Sequence, residues 1–269
     1  MSNFVGINKQ DYRQFKHHMT ANEVIRHMES LRNEEQRNIL MRFFKTGKGE
    51  YGEGDEFLGI KVPQTREVVK ISKDLPLNEV SVLLQNIWHE VRLCGFLILV
   101  EKFEALTKKR IVIDEDSMKK RDEIVLFYLK YADFANNWDL VDLSAPKILG
   151  HWLMLPSFVE EKQTIVDELA KSGRLWRQRI SMVCTLKPLQ MGEAAWCLRY
   201  AEIHCQHPHD LMQKAVGWML REMGKHVSMD LLRSFLQIHA ATMPRTALRY
   251  AIEHMSPQEK QDWMHKRYE

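Results

Sequence analysis

The sequence predicts an all-α fold of stacked helical pairs, and three observations carry that prediction. After Pro63, apolar residues recur at spacings of three and four, and alternating strand patterns are scarce. Similar signatures then reappear along the chain. They are Trp88–Leu99, Leu175–Val183, Leu211–Trp218 and Met243–Arg249. Aligning Arg179, Lys214 and Thr246 gives spacings of 35 and 32, and Arg92 stands 87 before Arg179, about two longer units. Self-similarity at this period, with a helix pair per unit, indicates a HEAT-like helical-repeat solenoid with a concave, partly basic face.

In order, Asp11 to about Phe44 reads as helices, with Val24, Met28 and Leu31 on one face. The next segment, Thr46 to Asp55, contains a literal G-x-G-x-x-G at Gly47, Gly49 and Gly52. It follows a helix rather than a strand, and Glu50, Glu53 and Asp55 would repel a pyrophosphate, so it is read as a flexible acidic loop. Residues 1–56 are thus expected to be N-terminal helices and this loop, packed on an array formed by residues 57–269 as one continuous domain. Within the array a helix is expected from Gln64 to about Lys73, and another across Trp88–Leu99.

The stretch from Asn136 to Pro146 lies where an intervening repeat belongs. Asn136 or Asn137 supplies an N-cap oxygen for a helical turn starting at Trp138. Residues four apart share a face, which sets Trp138 beside Asp142 and turns Asp139 elsewhere. Pro146 ends or kinks the segment. An aromatic plate beside a carboxylate suits a planar cation. The alternative is a core Trp138 with Asp142 capping the helix after Pro146.

Composition narrows the class. Apolar content of 45% with 28% charged residues is ordinary for a soluble globular protein. The longest run free of charged residues, Ile148–Val159, is twelve long, and a bilayer takes about twenty. The N-terminus shows no basic and apolar signal regions. Cys94, Cys184, Cys197 and Cys205 sit in apolar helical patterns, which fits a reducing cytoplasm rather than a disulfide framework. A net charge of +3 permits a polyanionic partner without demanding one.

In a solenoid, equivalent positions form a row, so Arg92, Arg179 and Lys214 are expected to make a phosphate track. The competing reading pairs them with neighbouring acids such as Glu90 and Glu222. Trp218 shares a helical face with Lys214 and Arg221, and Trp176 with Arg179; Arg177 adds to the same cluster. Rings beside arginines suit contacts to bases and phosphates. Trp88, Trp152, Trp196 and Trp263 read as core. His204–Asp210 resembles a metal cluster but lacks a second ligand pair, and Asp210 after Pro208 reads as an N-cap, so no metal is expected. No G-x-S-x-G, P-loop or H-E-x-x-H occurs.

The segments Phe57–Ile60 with Pro63, Trp138–Asp142 with Ala145-Pro146, Trp176–Arg179 and Gln213–Glu222 together resemble the AlkD-type DNA alkylation repair family of HEAT-like alkylpurine DNA glycosylases. The resemblance covers roughly Phe57 to Met255. It implies excision of cationic N3- and N7-alkylated purines from double-stranded DNA without a cofactor, by a cytoplasmic enzyme expected to be monomeric. It also implies Trp138 and Trp218 as lesion-facing aromatics, Asp142 as the essential carboxylate and Arg179 as a DNA-backbone contact. Two rivals stand beside it: a non-catalytic DNA-structure binder and a protein-interaction solenoid. The repair reading requires both rings outside the interior, and an acid not locked out of solvent against an arginine.

Overall fold

The computed structural model describes residues 19–107 and 114–266, so the predicted helical region from Asp11 is seen from residue 19 onward. Those residues are helical, with no strand among them beyond an isolated bridge between Glu56 and Trp88. The chain divides after Lys108 into two compact units.

The first unit contains α1 (Ala21–Ser30), α2 (Glu34–Phe43), α3 (Val62–Ser72), α4 (Leu77–Leu84) and α5 (His89–Ala105). A capping box starts α1: the Thr20 side chain accepts from the Glu23 amide, and the Glu23 carboxylate takes the Thr20 amide. α5 packs on α3 and α4 and is buried continuously from His89 to Val100; Leu93–Val100 is apolar throughout, while His89, Glu90 and Arg92 are buried polar residues. A side chain of α5 ties the preceding segment to it. Glu90 accepts the amides of Leu58, Gly59 and Ile60 at 2.9, 2.8 and 3.0 Å. Gly59 has φ +87°, and a Cβ there would lie 2.0 Å from the Asn33 carbonyl, so only glycine fits. α1 packs on α3 and α4, and the first unit also holds Phe57 and α5.

The Gly47–Asp55 segment is not a loose loop. It is a chain of turns in which Glu50 accepts the Gly47 amide at 2.9 Å and Glu53 the Gly49 amide at 2.8 Å. Its last acid, Asp55, is buried and bonds to His89 Nδ1 at 2.8 Å and to Arg92.

The second unit begins with α6 (Glu115–Lys130), a 3-10 turn at Ala132–Phe134 and α7 (Trp138–Ser144). A π turn at Pro146–Gly150 and a single turn at His151–Leu153 follow. Next come α8 (Val159–Lys171), α9 (Leu175–Val183), α10 (Leu186–Gln190), α11 (Ala195–His204), α12 (Asp210–His226), α13 (Met229–His239), α14 (Arg245–Ala251) and α15 (Pro257–His265). α12 buries Met212, Ala215, Val216, Met219, Leu220 and Met223, a stripe at helical spacing, and packs on α9, α11, α13 and α14. At Gly217 a Cβ would meet the Ala247 carbonyl at 2.3 Å and Tyr250 Cβ at 2.5 Å, so α12 and α14 touch backbone to backbone. Gly217→Ala is expected to cost about 1–3 kcal/mol despite alanine's better helix propensity. The check is a urea unfolding midpoint, which should fall.

Four tryptophans expected in the core divide. Trp152 is fully buried. Trp88, Trp196 and Trp263 are half-buried. Arg32 lies over the Trp88 ring, Trp196 stacks against Tyr200, and Lys266 lies over Trp263.

Candidate functional site

The site residues of the second unit stand on α7, α9 and α12, and α9 packs against both of the others. Asn137 rather than Asn136 is the N-cap of α7: its backbone is extended and its Oδ1 accepts the Trp138 amide at 2.9 Å. Trp138 is therefore the first helical residue, and Asp142 follows one turn later on the same face. Pro146 removes the amide that would have bonded the Asp142 carbonyl, and the chain continues as a π turn closed by Gly150 N–H to Ala145 O at 2.9 Å. Trp138 and Trp218 are both half-buried. Neither ring is sunk in the interior.

Asp142 departs from the expectation. Its oxygens accept from Arg179 Nε at 2.9 Å and Nη2 at 2.8 Å, a bidentate fork. The Asp142 side chain keeps 17% of its surface in solvent, and Arg179 keeps 6%. The acid is thus held by an arginine but is not closed off from water, so the arrangement that would exclude the repair reading is met in only one of its two parts. It does not cap the helix after Pro146. Burial pushes its pKa up, Arg179 opposes this, and the neighbouring buried Asp139 adds to the rise.

Arg179 is correspondingly turned away from solvent. Its third donor, Nη1, goes to the Leu211 carbonyl in the first turn of α12 at 2.5 Å. A planar fork matches a carboxylate better than it matches water, and the α7–α9 packing supplies the carboxylate. Arg92 is paired with an acid as well. It lies buried in the first unit on Asp55, with Nη1 on the Asn86 and Ile87 carbonyls at 2.9 Å each.

The remaining cations of the expected track also meet acids. Lys214 pairs with Asp210 at 2.7 Å, one turn earlier. Arg177 forks onto Asp133 at 2.6 and 2.8 Å, and Arg174 joins the same carboxylate at 2.5 Å. These arginines hold Asp133 down at about 2. Arg221 bonds to Glu253 and, at 3.2 Å, to Glu222. Of the acids expected to neutralise the row, Glu222 pairs with Arg221, Lys225 and His226, and Glu90 serves backbone amides. Trp176 is half-buried on α9, one turn before Arg179.

The structure adds partners to which the sequence assigned no role at this site: Asp133, Gln178, His207, His209 and the Leu211 carbonyl. A backbone carbonyl has no sequence signature. The N-cap of α12 is His209, whose Nδ1 accepts the Leu211 amide, rather than Asp210. Among the described residues no three His, Cys, Asp or Glu side chains gather to hold a metal ion, and no helix is long and apolar enough to cross a membrane. The four cysteines are buried.

His204, on α11, is buried and contacts Ser181 Oγ at 3.0 Å; burial, reinforced by His207, lowers it to about 4. Its unfolded value is about 6.5, so the unfolded chain takes up the proton first as pH falls. The stabilisation is complete above about pH 6.5 and is lost as pH falls toward about 4, on the order of 3 kcal/mol in total. His207 and His209, also lowered by burial, act in the same sense. Urea unfolding at pH 7.5 and pH 4.5 measures this, and His204→Gln should show a smaller difference between the two.

Fold and site together define a helical-repeat protein whose second unit sets an indole and a carboxylate on α7 against a guanidinium on α9. The family model described as DNA alkylation repair enzyme matches residues 24–255, and the chain belongs to that family. A solved structure described as a predicted DNA alkylation repair enzyme from Enterococcus faecalis is similar at a TM-score of 0.63 and 18% identity. The match covers 84% of this chain and 97% of that one. No curated protein matches the chain. Membership carries an enzymatic role in DNA repair, with DNA as the partner.

Proposed function

We propose that the chain is a DNA glycosylase that removes cationic N3- and N7-alkylated purines from duplex DNA by hydrolysing the N-glycosidic bond. The observation that supports this most directly is Asp142, a partly exposed carboxylate immobilised one helical turn from the half-buried Trp138. Alkylation at N3 or N7 makes the base cationic, so it departs as a neutral purine and needs little help from an acid. What develops instead is positive charge at the sugar, which a preorganised anion stabilises. The Arg179 fork occupies one position on each oxygen, about half of what a carboxylate can accept, and leaves the rest for the sugar or an attacking water. An indole face contributes about 0.5–2 kcal/mol toward a cationic base.

The Arg179–Asp142 pair also favours a second reading, since the same contact staples α7 to α9 and offsets the acid's field. That reading is a non-catalytic DNA-structure binder. Incubating the protein with duplex DNA containing 7-methylguanine, beside a uracil duplex, separates the two. Free 7-methylguanine from wild type, far slower release from Asp142→Asn and no uracil from either supports the glycosylase. Duplex binding without release by wild type supports the binder.

A further inference from the structure

Behind Arg179 lies a closed circuit of hydrogen bonds that the glycosylase reading does not use. Arg179 Nη1 donates to the Leu211 carbonyl at 2.5 Å. The Leu211 amide donates to His209 Nδ1 at 3.1 Å, and the His209 amide to His207 Nδ1 at 3.1 Å. His207 Nε2 meets Gln178 Oε1 at 3.1 Å, and Gln178 is the residue before Arg179. Gln213 braces the loop by donating to the carbonyls of His207 and Pro208 at 3.1 and 3.2 Å.

The donors in this circuit settle the ring states. A backbone amide can only donate, so Nδ1 of His207 and Nδ1 of His209 must both be unprotonated acceptors. An amide oxygen can only accept, so His207 Nε2 carries the proton that goes to Gln178. Leu211 is then gripped at both ends, its N–H by His209 and its C=O by Arg179. Without the imidazole at the N-cap, the first turn of α12 loses its side-chain acceptor, and the carbonyl that anchors Arg179 is free to drift.

We propose that His209, backed by His207, is a positioning residue for Asp142: it fixes the Leu211 carbonyl, which fixes the Arg179 fork, which fixes the carboxylate. The role rests on the glycosylase reading for its catalytic meaning, while the circuit itself is testable without turnover. His209→Ala removes the acceptor. His209→Asn restores a side-chain oxygen that can take the Leu211 amide at the same N-cap position.

In the full chain, base release from 7-methylguanine duplex is expected to fall about tenfold or more in kcat for His209→Ala, with KM little changed. His209→Asn should recover kcat to within a few-fold. Carboxyl carbon NMR should show the Asp142 resonance and its titration midpoint displaced in the alanine variant and returned in the asparagine variant. Nitrogen NMR of the wild-type imidazoles should report unprotonated Nδ1 at both His207 and His209. An unchanged kcat with an unchanged Asp142 resonance in His209→Ala overturns the proposal, as does a protonated Nδ1 on His209. If wild type releases no base, the glycosylase reading fails, and the Asp142 resonance alone decides the positioning. If His209→Ala does not fold, the asparagine variant and the imidazole spectra decide it.

Discussion

Asp142→Asn is expected to reduce the rate of alkylpurine release by about 10²–10³-fold, the size of effect seen when a preorganised electrostatic stabiliser is removed. Asparagine keeps the side chain's shape and one oxygen for Arg179, so the charge is the principal loss. Its amide nitrogen then faces a guanidinium that donates at 2.8–2.9 Å in wild type, and a stability cost of about 1–3 kcal/mol follows. A thermal midpoint on the same sample separates that cost from catalysis. Burial raises the Asp142 pKa, so wild-type release should be flat near neutrality. It should fall on the acid side, with a midpoint above the ordinary aspartate value of about 3.9. Equal release by wild type and variant would remove Asp142 from the mechanism.

The largest expected effect on stability lies in the first unit. Asp55→Ala should cost about 3–5 kcal/mol, because it strands Arg92 and His89 in the interior, at 5% and 1% exposure. Burial alone would raise the Asp55 pKa, but the hydrogen bond and charge of His89 and the charge of Arg92 outweigh it and leave it lowered. Adding Arg92→Met should recover much of the loss, since an apolar chain needs no counter-charge there. Urea unfolding of the single and double variants measures both steps. A cost under about 1 kcal/mol for the single change would mean that Asp55 behaves as a solvated loop acid.

Much of the helical frame is legible from periodicity. Leu175–Val183 is one of the recurring signatures and forms α9 over those residues. The Trp138 turn, with an asparagine cap and a break at Pro146, is likewise present. Both rest on local rules: side chains three and four residues apart share a face, and a proline cannot give an amide. Such rules act within a few residues, so a single sequence carries them in full.

Partnership was not legible, because it spans distances that periodicity cannot see. Arg92, Arg179 and Lys214 align by spacing, yet Arg92 lies buried on Asp55 from the glycine-rich loop, 37 residues away. Arg179 is also 37 residues from Asp142, and 32 from Leu211. Spacing tells which residues share a helical face; it does not tell which acid the packed neighbour brings. A charged side chain taken from water must find its counter-charge wherever the packing of helices puts one. The sequence by itself therefore determined the helices, their repeat and the family's motif residues. Only the tertiary structure decided that the arginine expected to contact DNA would hold the carboxylate.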